Sequence, residues 1–72
     1  MYEIKLSKSN SVYRTQFENL RKGIGDYEEA EKIVKNKAKE LKINRKKYGW
    51  HKNLVFTIAI FREGIIMERI EV

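Results

Sequence analysis

At the start of the chain the apolar residues Tyr2, Ile4 and Leu6 alternate with Glu3, Lys5 and Ser7. A period of two marks a strand with one buried face. "SKSN" then supplies turn residues. "SVYRTQF" resumes the alternation, with Tyr13 and Phe17 on one side and Arg14, Gln16 and Glu18 on the other, so a hairpin is expected. "RKGIG" should end it. Asp26 follows at a helix N-cap position with Glu29 three residues later, the spacing of a capping box.

From Tyr27 the period becomes helical. Tyr27, Ala30, Val34, Ala38 and Leu41 fall on one stripe, with Ile33 at its margin. Glu28 with Lys32 and Glu31 with Lys35 have the i,i+4 spacing of favourable ion pairs, acids early and lysines late as the macrodipole prefers. These features predict a helix over about 26–42. Two endings compete beyond that point. Continuation to residue 48 would make Gly49 the C′ residue but would point Ile43 at solvent, which favours a stop near Asn44.

Lys52 to Arg62 and Ile65 to Val72 read as a second hairpin. A two-residue turn at Glu63-Gly64 would put Arg69 and Glu71 on the same face as Phe56 and Ile58. A three-residue turn, Arg62-Glu63-Gly64, pairs Ile60 with Ile66, Phe56 with Ile70 and Leu54 with Val72. It leaves only Glu68, opposite Ile58, out of place, and is the expected register. The predicted architecture is α+β, in the order ββαββ. A four-stranded, mostly antiparallel sheet carries one helix on one face, and residues 1–72 form a single domain.

Such a fold leaves the second sheet face uncovered. On the first hairpin that face carries Glu3, Lys5, Ser7, Arg14 and Gln16, which suits water. On the second it carries Val55, Ala59, Phe61, Ile65 and Met67, an apolar patch of the kind that marks self-association or a partner surface. A wrong register, or termini folded over the patch, would remove it.

Composition narrows the chemistry. A chain of 72 residues sits near the size at which one core only just outweighs chain entropy, so almost every large apolar side chain is needed for folding. There is no Cys to supplement the core with a disulfide or thiolate site, and a reducing, cytoplasmic setting is expected. The start lacks the apolar h-region of a signal peptide, and the longest nearly uncharged run, Asn53 to Phe61, is too short to cross a bilayer. His51 is the single imidazole and Asp26 the single aspartate, and Asp26 already has a role as N-cap. A zinc site or a Ser-His-Asp arrangement therefore lacks its parts. No enzymatic activity, metal, cofactor or small-molecule substrate is expected. "GIGD" before the helix lacks the third glycine and the Lys of a phosphate-cradling loop, and reads as a strand-to-helix connection.

Charge is the more informative quantity. The net charge of +6 is concentrated: residues 32 to 52 hold nine Lys or Arg against one acid, Glu40, while the remainder holds seven basic and nine acidic residues. Lys32, Lys35, Lys39 and Lys42 follow 3, 4, 3 spacing and share a helical face beside the buried stripe, which Lys46 extends if the helix runs on. At 1.5 Å rise per residue the row is about 15 to 20 Å long, enough to follow phosphates along a backbone. A solvated lysine face is the plainer alternative, since lysine is a good helix former.

The adjoining "NRKKYGWHKN" adds Arg45, Lys46, Lys47, His51 and Lys52 with two aromatic rings, Tyr48 and Trp50. Those rings suit base stacking, or equally a plug at the bottom of the core, and Trp50 is expected to be the plug. The signatures of RNA-recognition sheets, helix-turn-helix modules and zinc fingers are missing. Two functions are expected from this pattern. The first is a basic, non-enzymatic module that contacts nucleic acid or a nucleoprotein through the Lys/Arg row. The alternative is a protein-interaction factor, a homodimer or an inhibitor of a larger host or viral machine, that acts through the open face of the last hairpin.

Overall fold

The computed structural model describes residues 1–10, 12–48 and 53–72. Four strands and one helix follow in the order β1 (Tyr2–Ser9), β2 (Glu18–Ile24), α1 (Tyr27–Lys47), β3 (Val55–Arg62) and β4 (Ile65–Glu71). The strands form one antiparallel sheet in the order β2-β1-β3-β4, and the helix packs on one face of it. The expected ββαββ α+β architecture is therefore the observed one. No described helix is long and apolar enough to cross a membrane.

The helix forms where its stripe predicts. Ala30, Val34, Ala38 and Leu41 are buried against Ile4, Leu6 and Ile24 and against Phe56, Ile58 and Ile60, with Tyr27 and Ile33 at the margin. Ile4 and Ile58 are 0% exposed, and burying each such side chain contributes roughly 1.5–3 kcal/mol. The Asp26 carboxylate accepts from the Glu28 N–H, so Asp26 is the N-cap. Glu29 makes no reciprocal bond to it, and half of the expected capping box is missing.

The C-terminus of the helix corrects one expectation. The helix passes Asn44 and ends at Lys47, with the Tyr48 N–H donating to the Asn44 carbonyl at 2.7 Å. Ile43 is left 63% exposed, as the longer alternative requires. Arg45 supplies a reason for the extra turn. Its Nη2 donates to the carbonyls of Leu54 and Val72, both at 2.7 Å, tying the last turn to the chain entering β3 and to the chain leaving β4. Gly49, the C′ residue of the longer alternative, lies outside the described residues.

The first hairpin is displaced relative to its sequence pattern. β2 is Glu18–Ile24, not 11–17, and it runs through "RKG" where a break is expected. Tyr2 pairs with Ile24, Ile4 with Arg21, Lys5 with Asn19 and Leu6 with Glu18, so two residues of β2, Leu20 and one of Lys22 and Gly23, are extra. Each inserted residue resets the in-out alternation, and with two of them β2 shows no period of two at all. Gly23 sits at φ 71, the left-handed conformation that such a bulge uses and that glycine adopts without strain. "GIGD" thus holds the bulged end of β2 and the link to the helix.

The second hairpin resolves its register in a third way. Arg62 pairs with Ile65 across a two-residue turn in which Glu63 (φ 51) and Gly64 (φ 80) are both left-handed, a type I′ geometry. This corrects the expected three-residue turn. The charge mixing that the short turn would bring is avoided by a bulge. Phe61 pairs with Ile66 but Ile60 with Glu68, leaving Met67 as the extra residue. Beyond it Ile58 faces Ile70, Ala59 faces Arg69 and Thr57 faces Glu71, and Phe56 and Val72 exchange backbone hydrogen bonds of 3.0 and 2.8 Å. Ile70 and Val72 join the core margin, while Arg69 and Glu71 turn to the other face. Glu68, on the helix side, accepts a 2.8 Å hydrogen bond from the Tyr27 hydroxyl.

Candidate nucleic-acid interface

The buried stripe fixes the azimuth of every other residue on α1. Lys32, Lys35, Lys39, Lys42 and Lys46 are all exposed and fall on the flank of the stripe that faces β4, where Lys35 lies beside Glu31, Val34, Glu68 and Ile70. The five ammonium groups therefore lie along one side of the helix. The expected pairs of Glu28 with Lys32 and Glu31 with Lys35 do not close to ion-pair distance. The single helix ion pair among the described residues is Lys37 with Glu40 at 3.5 Å, on the opposite flank. Among the described residues the row thus holds lysines with no acidic partner, in a helix whose last turn adds Lys47. The Lys47 ammonium lies 5.5 Å from the Tyr48 ring centre, and Tyr48 is partly exposed.

Arg45 stands apart from this group. It projects towards the sheet, where its Nη2 is held by two carbonyls and its enclosed Nε has no hydrogen-bond partner among the described residues. Of the residues proposed from sequence, Lys32, Lys35, Lys39, Lys42 and Lys46 are brought together and Lys47 is beside them. His51, Lys52 and Trp50 lie outside the described residues.

The opposite sheet face is less open than its pattern implies. Phe17 closes over Phe61 edge-to-face, with centroids 5.3 Å apart, and the Lys5 ammonium lies 4.6 Å from the same ring centre while pairing with Glu3 at 3.7 Å. Ala59 and Phe61 are consequently buried within the chain. Val55, Ile65, Ile66 and Met67 stay exposed, but Ile65 is moved off the expected face: it pairs with Arg62, on the helix side, and Ile66 takes its place on the row of Phe61. Sequence reasoning misses Ile66 because the bulge at Met67 moves it onto the row of Phe61.

Tyr27 is the one described group whose proton affinity is strongly altered. Its hydroxyl donates to Glu68, and that hydrogen bond, with desolvation and the nearby carboxylate charges of Glu68 and Glu31, pushes it up to about 12. The same hydrogen bond joins the first turn of the helix to β4. Among the described residues no group of three or more acidic or His side chains has the spacing to hold a metal ion. No family model matches the chain, and neither curated proteins nor solved structures show significant similarity to it.

Proposed function

We propose that the protein is a small basic binding module that contacts nucleic acid or a nucleoprotein through the lysine row of α1. The observation that carries this reading is the row itself: Lys32, Lys35, Lys39, Lys42 and Lys46 are exposed on one helix flank with no acidic partner among the described residues. Unneutralised ammonium groups at one-turn spacing release condensed counterions when they meet phosphates, and that release drives binding without reading sequence. Lys47 and the partly exposed Tyr48 ring extend the surface at its C-terminal end. The absence of Cys fits action in the cytoplasm.

Fluorescence anisotropy with labelled single- and double-stranded DNA and RNA tests the reading. Affinity should fall steeply as salt rises, and Lys35→Gln, Lys39→Gln and Lys42→Gln together should flatten the log-log slope by about 0.7–0.9 for each phosphate no longer neutralised. No binding to any of these at low salt overturns it.

The exposed Ile65, Ile66 and Met67 at the start of β4 favour a second reading, a protein-interaction factor that binds a partner or its own copy through that hairpin. Light scattering of the wild type and of Met67→Glu separates a dimer from a monomer.

A further inference from the structure

The sheet face opposite the helix holds a cleft of about 440 Å³ between two walls. One wall is the segment from Arg14 to Phe17, in the loop before β2. The Asn10 side chain accepts from the N–H groups of Val12 and Tyr13, and Thr15 is bonded to Lys8 through both its N–H and its hydroxyl. Phe17 anchors the end of this wall on Phe61. The other wall is β4, from which Arg69 and Glu71 project on the side away from the core. The floor is the cross-strand pair of Ser7 and Thr57, two small hydroxyl residues that leave the hollow between the walls.

The lining residues form a donor set without an internal recipient. Arg14, on the first wall, and Arg69, on the second, have no carboxylate within ion-pair distance among the described residues, although Glu71 lines the same cleft. The hydroxyls of Ser7 and Thr57 likewise have no hydrogen-bond partner among the described residues, and Ser7 is otherwise buried. Two guanidinium groups with hydroxyls below them match the oxygens of a phosphate, which accept from several directions and favour the planar arginine fork. Glu71 is out of place in a site for a bare anion, because it would repel one. It suits a ligand that carries a hydroxyl or amine donor at some distance from its phosphate. The volume falls within the range of about 300–1,000 Å³ typical of small-ligand sites.

We propose that this cleft binds a phosphate-bearing ligand of mononucleotide size, with the phosphate between Arg14 and Arg69 over the Ser7 and Thr57 hydroxyls and a donor group of the ligand on Glu71. The site lies on the face away from the lysine row and does not depend on it. The same chemistry is offered by a free mononucleotide and by one nucleotide of a single strand.

Nuclear magnetic resonance titration of the isotope-labelled chain distinguishes these sources, with inorganic phosphate, the common mononucleotides and a single-stranded octanucleotide as probes. The amides of Ser7, Thr15, Phe17 and Thr57 should shift saturably, with mononucleotides binding more tightly than inorganic phosphate. Arg14→Gln and Arg69→Gln should each weaken mononucleotide binding tenfold or more in a chain whose remaining spectrum is unchanged. Glu71→Gln should narrow the gap between mononucleotide and inorganic phosphate. Tighter binding of the octanucleotide at the same amides assigns the site to a single strand; equal or weaker binding assigns it to a free nucleotide. Replacing Lys32, Lys35, Lys39 and Lys42 with Gln should leave mononucleotide affinity unchanged, which separates this site from the helix surface. The proposal is overturned if none of the three probes shifts those amides saturably, or if the shifts persist in the Arg14→Gln, Arg69→Gln double variant.

Discussion

On one face of the sheet Ile4, Ile58 and Ile60 lie under the apolar stripe of a 21-residue helix; on the other, Phe61 lies under the edge of one ring and the ammonium of one lysine. The first arrangement is a continuous apolar core built from elements distant in sequence. The second is a set of local contacts around the loop before β2, and it leaves a polar hollow beside them. A chain of this length has one helix for two faces. The stability of the fold should therefore reside on the helix side, and the other face is free to carry unpaired polar groups.

That contrast is open to experiment. The largest effect should come from Ile58→Ala. Removing a fully buried Ile should destabilise by about 2–5 kcal/mol, most of what a domain this small possesses, measured as a lower urea midpoint. Next is Arg45→Met, which removes the guanidinium donor from the Leu54 carbonyl and leaves the Val72 carbonyl with the Phe56 N–H alone, and should cost about 1–3 kcal/mol in the same assay. A neutral result there would mean that the helix end is held by packing alone.

Phe17→Ala, on the other face, removes an edge-to-face pair worth about 0.5–1.5 kcal/mol beyond its buried area. It should destabilise less than Ile58→Ala while opening the cleft, seen as shifted amides around Thr15 and Thr57. A loss as large as that of Ile58→Ala would erase the distinction between the faces.

The smallest effect concerns Tyr27. Its folded-state proton affinity is raised from 10.0 to about 12, so the stabilisation from its bond to Glu68 is fully present below pH 10 and is lost as pH rises through about 12. Tyr27→Phe should flatten the alkaline limb of the stability profile between those values.

What was legible in the sequence follows the same division. The helix, its stripe and its Asp26 cap could be read because a single period runs unbroken from Tyr27 to Leu41. β1 and β3 could be read because each is fully paired without a shift against the other. The two edge strands could not be read in the same way. β2 carries two extra residues and β4 one, and each insertion reverses the face on which the next side chain emerges. The alternation of Tyr13 with Phe17 signals a strand and belongs instead to a loop lying on the sheet, where Arg14 bridges to Ser9 and the Thr15 N–H donates to the Lys8 carbonyl. The lysine row was visible from its spacing. The inward turn of Arg45 was not, because its two carbonyl partners are contributed by Leu54 and Val72, and nothing local announces them. The cleft was beyond reach for a related reason: Arg14 and Arg69 line one hollow only once the loop before β2 lies on the sheet and β4 has taken the edge beside β3.

The extra residue at Met67 gives the last hairpin a slack of one position. The turn at Glu63-Gly64 and the core pair of Ile58 with Ile70 are specified separately, and Met67 absorbs the mismatch between them. Deleting Met67 would join turn and core into one regular ladder without moving either. Deleting a residue of β3 between Ile58 and Phe61 would instead force a choice between them. The hairpin should therefore tolerate changes of length on β4 and resist them on β3, an asymmetry between two strands that otherwise lie side by side along their whole length.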